Sequence, residues 1–355
     1  MCADATVPKG DKAAPNLDGA ALLAAIRVAY GLPAERLTFV PIGEVTEGYT
    51  VEARGGARYF AKVYGASRLA RLSAERLPYT LPLACELHDK GLLPEVAYPM
   101  PTLSGALQAS FGGQPLVLYP YIAGRLVTEG DFAAAEMMPR FAETVARLHN
   151  ATPQLETPLP FETFDAPFRR DLLRGLRELE RLGQDSRPGQ RALRDLLLPR
   201  RQELLGHLAQ LEALGDRACS QERALVLCHT DLAPTNLICD EAGRLHLLDW
   251  EGALLAPAEH DLVFFSGEHF AAFLADYRRC REQRVPLDPE LFSFYFHRRN
   301  LEDLADWVAR ILWENATDEQ DRHDLEGIQD DCLRWWDDLH AGPRLRAIVW
   351  EHNQE

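Results

Sequence analysis

The chain has 355 residues, 46% of them hydrophobic, and a formal net charge of −16 at pH 7. That length exceeds one compact core and suits two lobes of unequal size, while the charge argues against nucleic acid or an anionic membrane as partners and suits a cationic small molecule. Seven scattered cysteines with no CxxC pair exclude a zinc or disulfide framework. With no apolar leader after Met1 and no run of membrane-spanning length, the expected compartment is the cytoplasm.

Residues 1–16 are small, polar and proline-containing, and are expected to form a flexible tail. A helical pattern follows through Leu22, Leu23, Ile26 and Tyr30, closed by Gly31 and Pro33. Strands are expected over 37–40, 49–53 and 59–64, joined by turns that carry Gly43, Gly48, Gly55 and Gly56. Helical signals return over 67–77 and 83–90, with an irregular join at Pro78 and Pro82. Strand-like 107–111 and 116–119 complete a small antiparallel sheet. Residues 119–124 read as a turn-rich hinge. Beyond it, leucines recur at helical spacing over 168–182 and 190–214, after a first helix over 131–149. The expected class is α+β and bilobal: a small antiparallel β lobe over 1–118, the hinge over 119–124, and a larger, mainly helical lobe over 125–355.

The most informative stretch is Leu225-Val226-Leu227-Cys228-His229-Thr230-Asp231, followed by Asn236 and, after a short hairpin, Leu247-Leu248-Asp249-Trp250. An apolar strand delivers His-x-Asp, an asparagine stands five positions after that Asp, and a second strand ends on another Asp. Kinase-type phosphoryl transfer needs this set. One carboxylate accepts the proton of a substrate hydroxyl, and an amide oxygen and a second carboxylate hold magnesium on the nucleotide.

A single lysine supports the same reading. The chain carries 34 Arg and four Lys, at 9, 12, 62 and 90. Lys62 is centred in an apolar strand, where a charge needs a partner or a function, and a compact ammonium suits bridging phosphates there. Its carboxylate partner on the following helix is expected to be Glu75, with Glu86 as the second choice. Gly43 and Gly48 bracket a loop that a plain hairpin explains as well as a phosphate cradle, and Glu44 and Glu47 within it are expected to face solvent.

The run His229–Asn236 followed by Leu248-Asp249-Trp250 resembles the aminoglycoside phosphotransferase and choline kinase group, whose fold is related to that of protein kinases. Glu251 stands where a protein kinase has glycine. Within the group, Trp250–Pro257 and Tyr295–Leu304 are most similar to the spectinomycin phosphotransferase branch. The resemblance covers most of residues 20–312 and implies ATP and Mg²⁺ as cofactors. It implies Asp231 as catalytic base, Asn236 and Asp249 as metal ligands, and Lys62 on the α and β phosphates. His229 would brace the loop. The hinge, with Tyr119 and Ile122, would meet the adenine.

The group's C-terminal helices line the acceptor pocket, and acids are dense after residue 300. Glu302, Asp303 and Asp306, together with Glu251, are the expected acceptor contacts, suited to an amino-substituted cyclitol or sugar. The expected protein is a monomer or homodimer that phosphorylates an aminocyclitol antibiotic such as spectinomycin. The alternatives are a metabolite kinase of the same fold, acting on choline, homoserine or a sugar, and a non-catalytic nucleotide-binding scaffold.

Overall fold

The computed structural model describes residues 17–43, 45–338 and 342–354. The expected tail and the orientation of Glu44 lie outside them. In chain order the first elements are α1 (Gly19–Tyr30), β1 (Ala34–Val40), β2 (Glu47–Ala53), β3 (Arg58–Val63), α2 (Arg68–Asp89), β4 (Ala109–Phe111), β5 (Gln114–Pro120) and β6 (Arg125–Leu126). Then come α3 (Glu129–Phe132), α4 (Met138–Asn150), α5 (Arg169–Leu179), α6 (Pro188–Leu197) and α7 (Arg201–Cys219). The catalytic-type segment forms β7 (Val226–Cys228), β8 (Leu237–Cys239), β9 (Leu245–Leu247) and β10 (Leu254–Ala256). Last are α8 (Glu259–Leu262), α9 (Phe270–Cys280), α10 (Pro289–Ala309), α11 (Asp318–Gly327) and α12 (Pro343–Gln354).

The chain divides into two compact units. The first takes the described residues of Met1–Phe161 with Val226–Leu255 and Gly267–Arg284; the second takes Glu162–Leu225, Ala256–Ser266 and the described residues of Val285–Glu355. The first unit thus holds both the lysine strand and the His-x-Asp segment. The α+β class is the one expected, with the sheet first and helices dominating afterwards.

In the first unit, five antiparallel strands run in the order β1-β2-β3-β5-β4. Strand alternation sorts their side chains to two faces. Tyr49, Val51, Ala61, Val63, Leu116 and Leu118 join Leu22, Ile26 and Tyr30 of α1 in one core. Helix α1 is capped by Asp18, whose carboxylate accepts from the amides of Ala20 and Ala21, and by Gly31 at φ 67°. On the opposite face, Tyr64 and Val117 pack on Leu77 and Leu81 of α2. Register places Lys62 between Gly48 of β2 and Val117 of β5.

Helix α2 corrects the expected irregular join, since it runs unbroken for 22 residues with Pro78 and Pro82 inside it. Each proline removes one amide donor to the carbonyl four residues earlier. Pro78 is exposed and Pro82 half-buried. The buried stripe Leu77, Leu81, Ala84 and Leu87 holds the helix together. Two other helices divide where one was expected. The segment 131–149 becomes α3, a short 3₁₀ turn and α4, which carries Pro139 in its first turn; 190–214 breaks at a 3₁₀ turn over Leu198–Arg200, around Pro199.

In the second unit, α10 packs against α5, α7, α8 and α11. The leucines at 172, 176, 179, 197, 204, 208 and 211 are buried, as their spacing implied, whereas Leu173 and Leu182 of the same pattern are half-buried.

Candidate active site

Strand β7 is buried along its length and hands the chain to His229, which has no exposed surface. The His229 Nε2–H donates to the Leu248 carbonyl at 2.6 Å, and its Nδ1 accepts from the Asp231 amide at 3.3 Å. The ring meets Trp250 edge-on, with centroids 4.9 Å apart. One imidazole therefore ties the loop that starts after β7 to the strand end that carries Asp249. Thr230 takes φ 73° in this loop. It approaches Gly252 so closely that a Cβ there would lie 2.2 Å from the Thr230 Oγ1, which only glycine accommodates.

From Asp231 the chain turns through Pro234–Asn236 into β8. Asn236 is buried, and its Nδ2 donates to the Asp231 carboxylate at 2.7 Å and to the Asp231 carbonyl at 2.9 Å. Its amide oxygen is the atom left for another partner. The Asn236 carbonyl accepts from the Leu248 amide at 2.9 Å. Asp249 follows at φ 59°, a left-handed conformation that costs a non-glycine residue about 1 kcal/mol or more and that clusters at functional sites.

Lys62 reaches this turn from β3. Its ammonium is buried, 2.7 Å from Asp249 Oδ1 and 3.1 Å from Glu251 Oε1. The hydroxyl of Tyr64, two residues on along the same face of the strand, donates to the same Glu251 oxygen. Burial alone would push the lysine pKa down, and the Asp249 and Glu251 charges overcome it and raise it. Burial also pushes both carboxylates up. For Glu251 the lysine and the tyrosine hydroxyl reverse this and lower it; for Asp249 the neighbouring Glu251 and Asp231 charges add to burial and raise it.

Lys62, Asn236, Asp249 and Glu251 line one cavity of about 670 Å³, a volume suited to a small-molecule or cofactor site. Val40, Ile42, Gly43, Gly48 and Phe60 of the sheet line part of it, and Tyr119–Ile122 another. Thr235, Asn236 and Leu248–Glu251 line the remainder, with Leu77, Thr80, Leu81 and Ala84 of α2. The Arg58 guanidinium lies 4.1 Å from the centre of the Tyr121 ring.

The expected partner of Lys62 needs correction. Glu75 does not pair with Lys62. It is exposed on the outer side of α2, away from the Ala74–Leu77–Leu81 stripe, and Glu86 is held by Lys90 at 2.7 Å and by the amides of Glu156 and Thr157. Glu251, expected as an acceptor contact, lines the cavity and accepts from Lys62 and Tyr64 through its Oε1. Tyr64 and Arg76, whose Nη1 donates to the Glu251 carbonyl at 3.3 Å, were missed. Period-two alternation from Lys62 would have drawn attention to Tyr64.

Gly43 takes φ 81° and is exposed, whereas Gly48 faces Phe60. Glu47 is half-buried, with its Oε2 withdrawn from solvent rather than facing it. Glu302, Asp303 and Asp306 are half-buried on α10 in the second unit, and Asp303 accepts from Arg299 one turn back at 2.9 Å. Asn236 and Asp249 offer hard oxygen donors, one of them charged, a set that fits a divalent cation such as magnesium.

A lysine on an antiparallel sheet and a strand-end aspartate on one cavity, with a His-x-Asp loop tied to them through Asn236, define the kinase-like class of phosphoryl-transfer fold. The chain belongs to the phosphotransferase enzyme family (APH), whose model matches residues 37–304. Among solved structures it is similar to a spectinomycin phosphotransferase in complex with ADP and spectinomycin, at 18% identity over 96% of this chain and 100% of that one, with a TM-score of 0.69. It is also similar to an aminoglycoside phosphotransferase from Alicyclobacillus acidocaldarius, at 18% identity over 97% of each chain and a TM-score of 0.59. A choline kinase from Streptococcus pneumoniae matches at 16% identity over 87% of this chain and 97% of that one, with a TM-score of 0.52. At these identities the likeness is one of fold. No curated protein sequence matches the chain. Among the described residues, no helix is long and apolar enough to cross a membrane.

Proposed function

We propose that this protein is an ATP- and magnesium-dependent small-molecule kinase that phosphorylates a hydroxyl of a cationic acceptor, an aminocyclitol of the spectinomycin type. The observation that carries the reading is the convergence of Lys62, Asn236 and Asp249 on one cavity, with the Asp231 carboxylate held beside them by the Asn236 amide at 2.7 Å. The metal-bound nucleotide supplies the phosphoryl group and screens its charge. Asp231 orients the acceptor hydroxyl and takes its proton, and the Asn236 amide holds the Asp231 carboxylate in place. Asn236 and Asp249 bind the metal through oxygen, and Lys62 neutralises the α and β phosphates. Tyr119–Ile122 meet the adenine, and Gly43 and Gly48 let the backbone approach the phosphates.

Family membership supports phosphoryl transfer, and the net charge of −16 supports a cationic acceptor. Glu302, Asp303 and Asp306 are the proposed acceptor contacts. A second reading, a metabolite alcohol such as choline as acceptor, draws on the fold likeness to choline kinase. A panel of aminocyclitols, choline, homoserine and neutral sugars, assayed for ADP release and for a phosphorylated product by phosphorus NMR, separates the two. Spectinomycin-dependent release supports the first; release with choline, a sugar or an amino-acid alcohol alone replaces it with the second.

A further inference from the structure

We propose that Glu251 is the positioning residue for Lys62, supplying from the turn after Asp249 the carboxylate that was expected on α2. The inference rests on the phosphotransferase reading above. A buried ammonium needs a counter-charge, and among the described residues Asp249 and Glu251 are the carboxylates within ion-pair distance of Lys62. Their surroundings differ. Both border the cavity, but the Asp249 side chain is 41% exposed and that of Glu251 14%. The Glu251 oxygen that faces Lys62 also receives the Tyr64 hydroxyl. A metal ligand must reach its cation, and Asp249, the more exposed of the two, is placed to do so. Glu251 is fixed to the protein.

Helix α2 fits this division. Its Glu75 points outward, and what it extends to the turn is a cation: Arg76 donates to the Glu251 backbone carbonyl at 3.3 Å. The helix thus anchors the carboxylate's backbone in place of providing the carboxylate. Because Asp249 and Glu251 are two residues apart on one short turn, the metal ligand and the lysine's partner are set by the same backbone. When a cation occupies Asp249, Glu251 keeps Lys62 paired and aimed at the phosphates.

The test uses the full chain and calorimetric titration with metal-free ADP and with ATP plus magnesium, on the wild type, Glu251→Gln, Lys62→Met, the double variant, Tyr64→Phe and Glu75→Gln. Thermal unfolding confirms that each is folded. Glu251→Gln is expected to weaken ATP binding in magnesium by about tenfold or more. Its effect on metal-free ADP is expected to be smaller, because Asp249 then remains available to Lys62. In the Lys62→Met background the same substitution should add almost nothing, a coupling that a purely structural role would not produce. Tyr64→Phe should weaken binding in the same direction by less, and it carries the test if Glu251→Gln fails to fold. Glu75→Gln should bind as the wild type does. Wild-type affinity in Glu251→Gln, or an equal loss with and without Lys62, overturns the inference. If the wild type itself binds neither nucleotide, it is the phosphotransferase reading that fails.

Discussion

The Nε2–H of His229 donates to the carbonyl of Leu248 at 2.6 Å, joining the start of the Asp231 loop to the residue before Asp249. A single buried side chain therefore sets the spacing between the proposed base and a proposed metal ligand. His229→Ala should leave that carbonyl unsatisfied and open a void beside Trp250, lowering stability by about 1–3 kcal/mol. Turnover should fall more steeply than nucleotide affinity, because the base loses its register while Lys62 keeps its own strand. Urea denaturation alongside steady-state kinetics checks both.

At the Lys62 end, shape matters as much as charge. The ammonium fits between Asp249 and Glu251 in a space closed by Tyr64 and Tyr119, whose hydroxyls are pushed well up by burial. A planar guanidinium cannot adopt the same contacts, so Lys62→Arg should lose most nucleotide affinity despite its charge. Asp249→Ala should abolish the gain in ATP affinity that magnesium gives while leaving metal-free ADP binding. An active Lys62→Arg enzyme would mean that Lys62 is a strand residue without a phosphate to meet.

Glu302, Asp303 and Asp306 are proposed to attract a cationic acceptor. Neutralising each should raise the acceptor KM with little change in nucleotide affinity, and a direct contact should lower kcat/KM roughly tenfold or more. Higher ionic strength should weaken acceptor binding by screening. Exposed Asp330 provides the control, and Asp330→Asn should behave as wild type.

Stability should depend on pH through Glu259, which is 3% exposed and accepts the Asp288 amide at 2.6 Å. Burial pushes its pKa up from 4.5 to about 7. An acid whose folded pKa is raised contributes its stability below about pH 4.5 and loses it as pH rises through about 7. Glu259→Gln keeps an acceptor for Asp288 and removes the charge. It should match the wild type near pH 4 and exceed it at pH 8 by up to roughly 3 kcal/mol, measured by urea denaturation at both values.

The residues proposed to bear the chemistry were readable as a group because their spacing is local. His229, Asp231, Asn236 and Asp249 lie within 21 residues, and Lys62 stands out in an arginine-rich chain as the lysine inside an apolar strand. Its partner was not legible. Glu75 and Glu251 are both acids at plausible distances along the chain, and only the packing of α2 on the sheet decides that one points outward and the other inward. The continuity of α2 through Pro78 and Pro82 was hidden for a related reason, since tertiary burial of Leu77 and Leu81 outweighs two missing hydrogen bonds. The break at Pro199 was readable from the proline itself, and the leucine stripe on both sides concealed it.

The central claim is that Asp231 is the base of a phosphotransferase, and acceptor-dependent ADP release by Asp231→Asn beside the wild type tests it most directly. The substitution preserves size and hydrogen bonding but cannot take a proton. Positioned acid–base groups contribute ~10²–10⁴-fold, and a base that also orients the hydroxyl belongs at the upper end. The account predicts turnover reduced to that degree with ATP affinity nearly unchanged. Turnover within a few-fold of the wild type would contradict it.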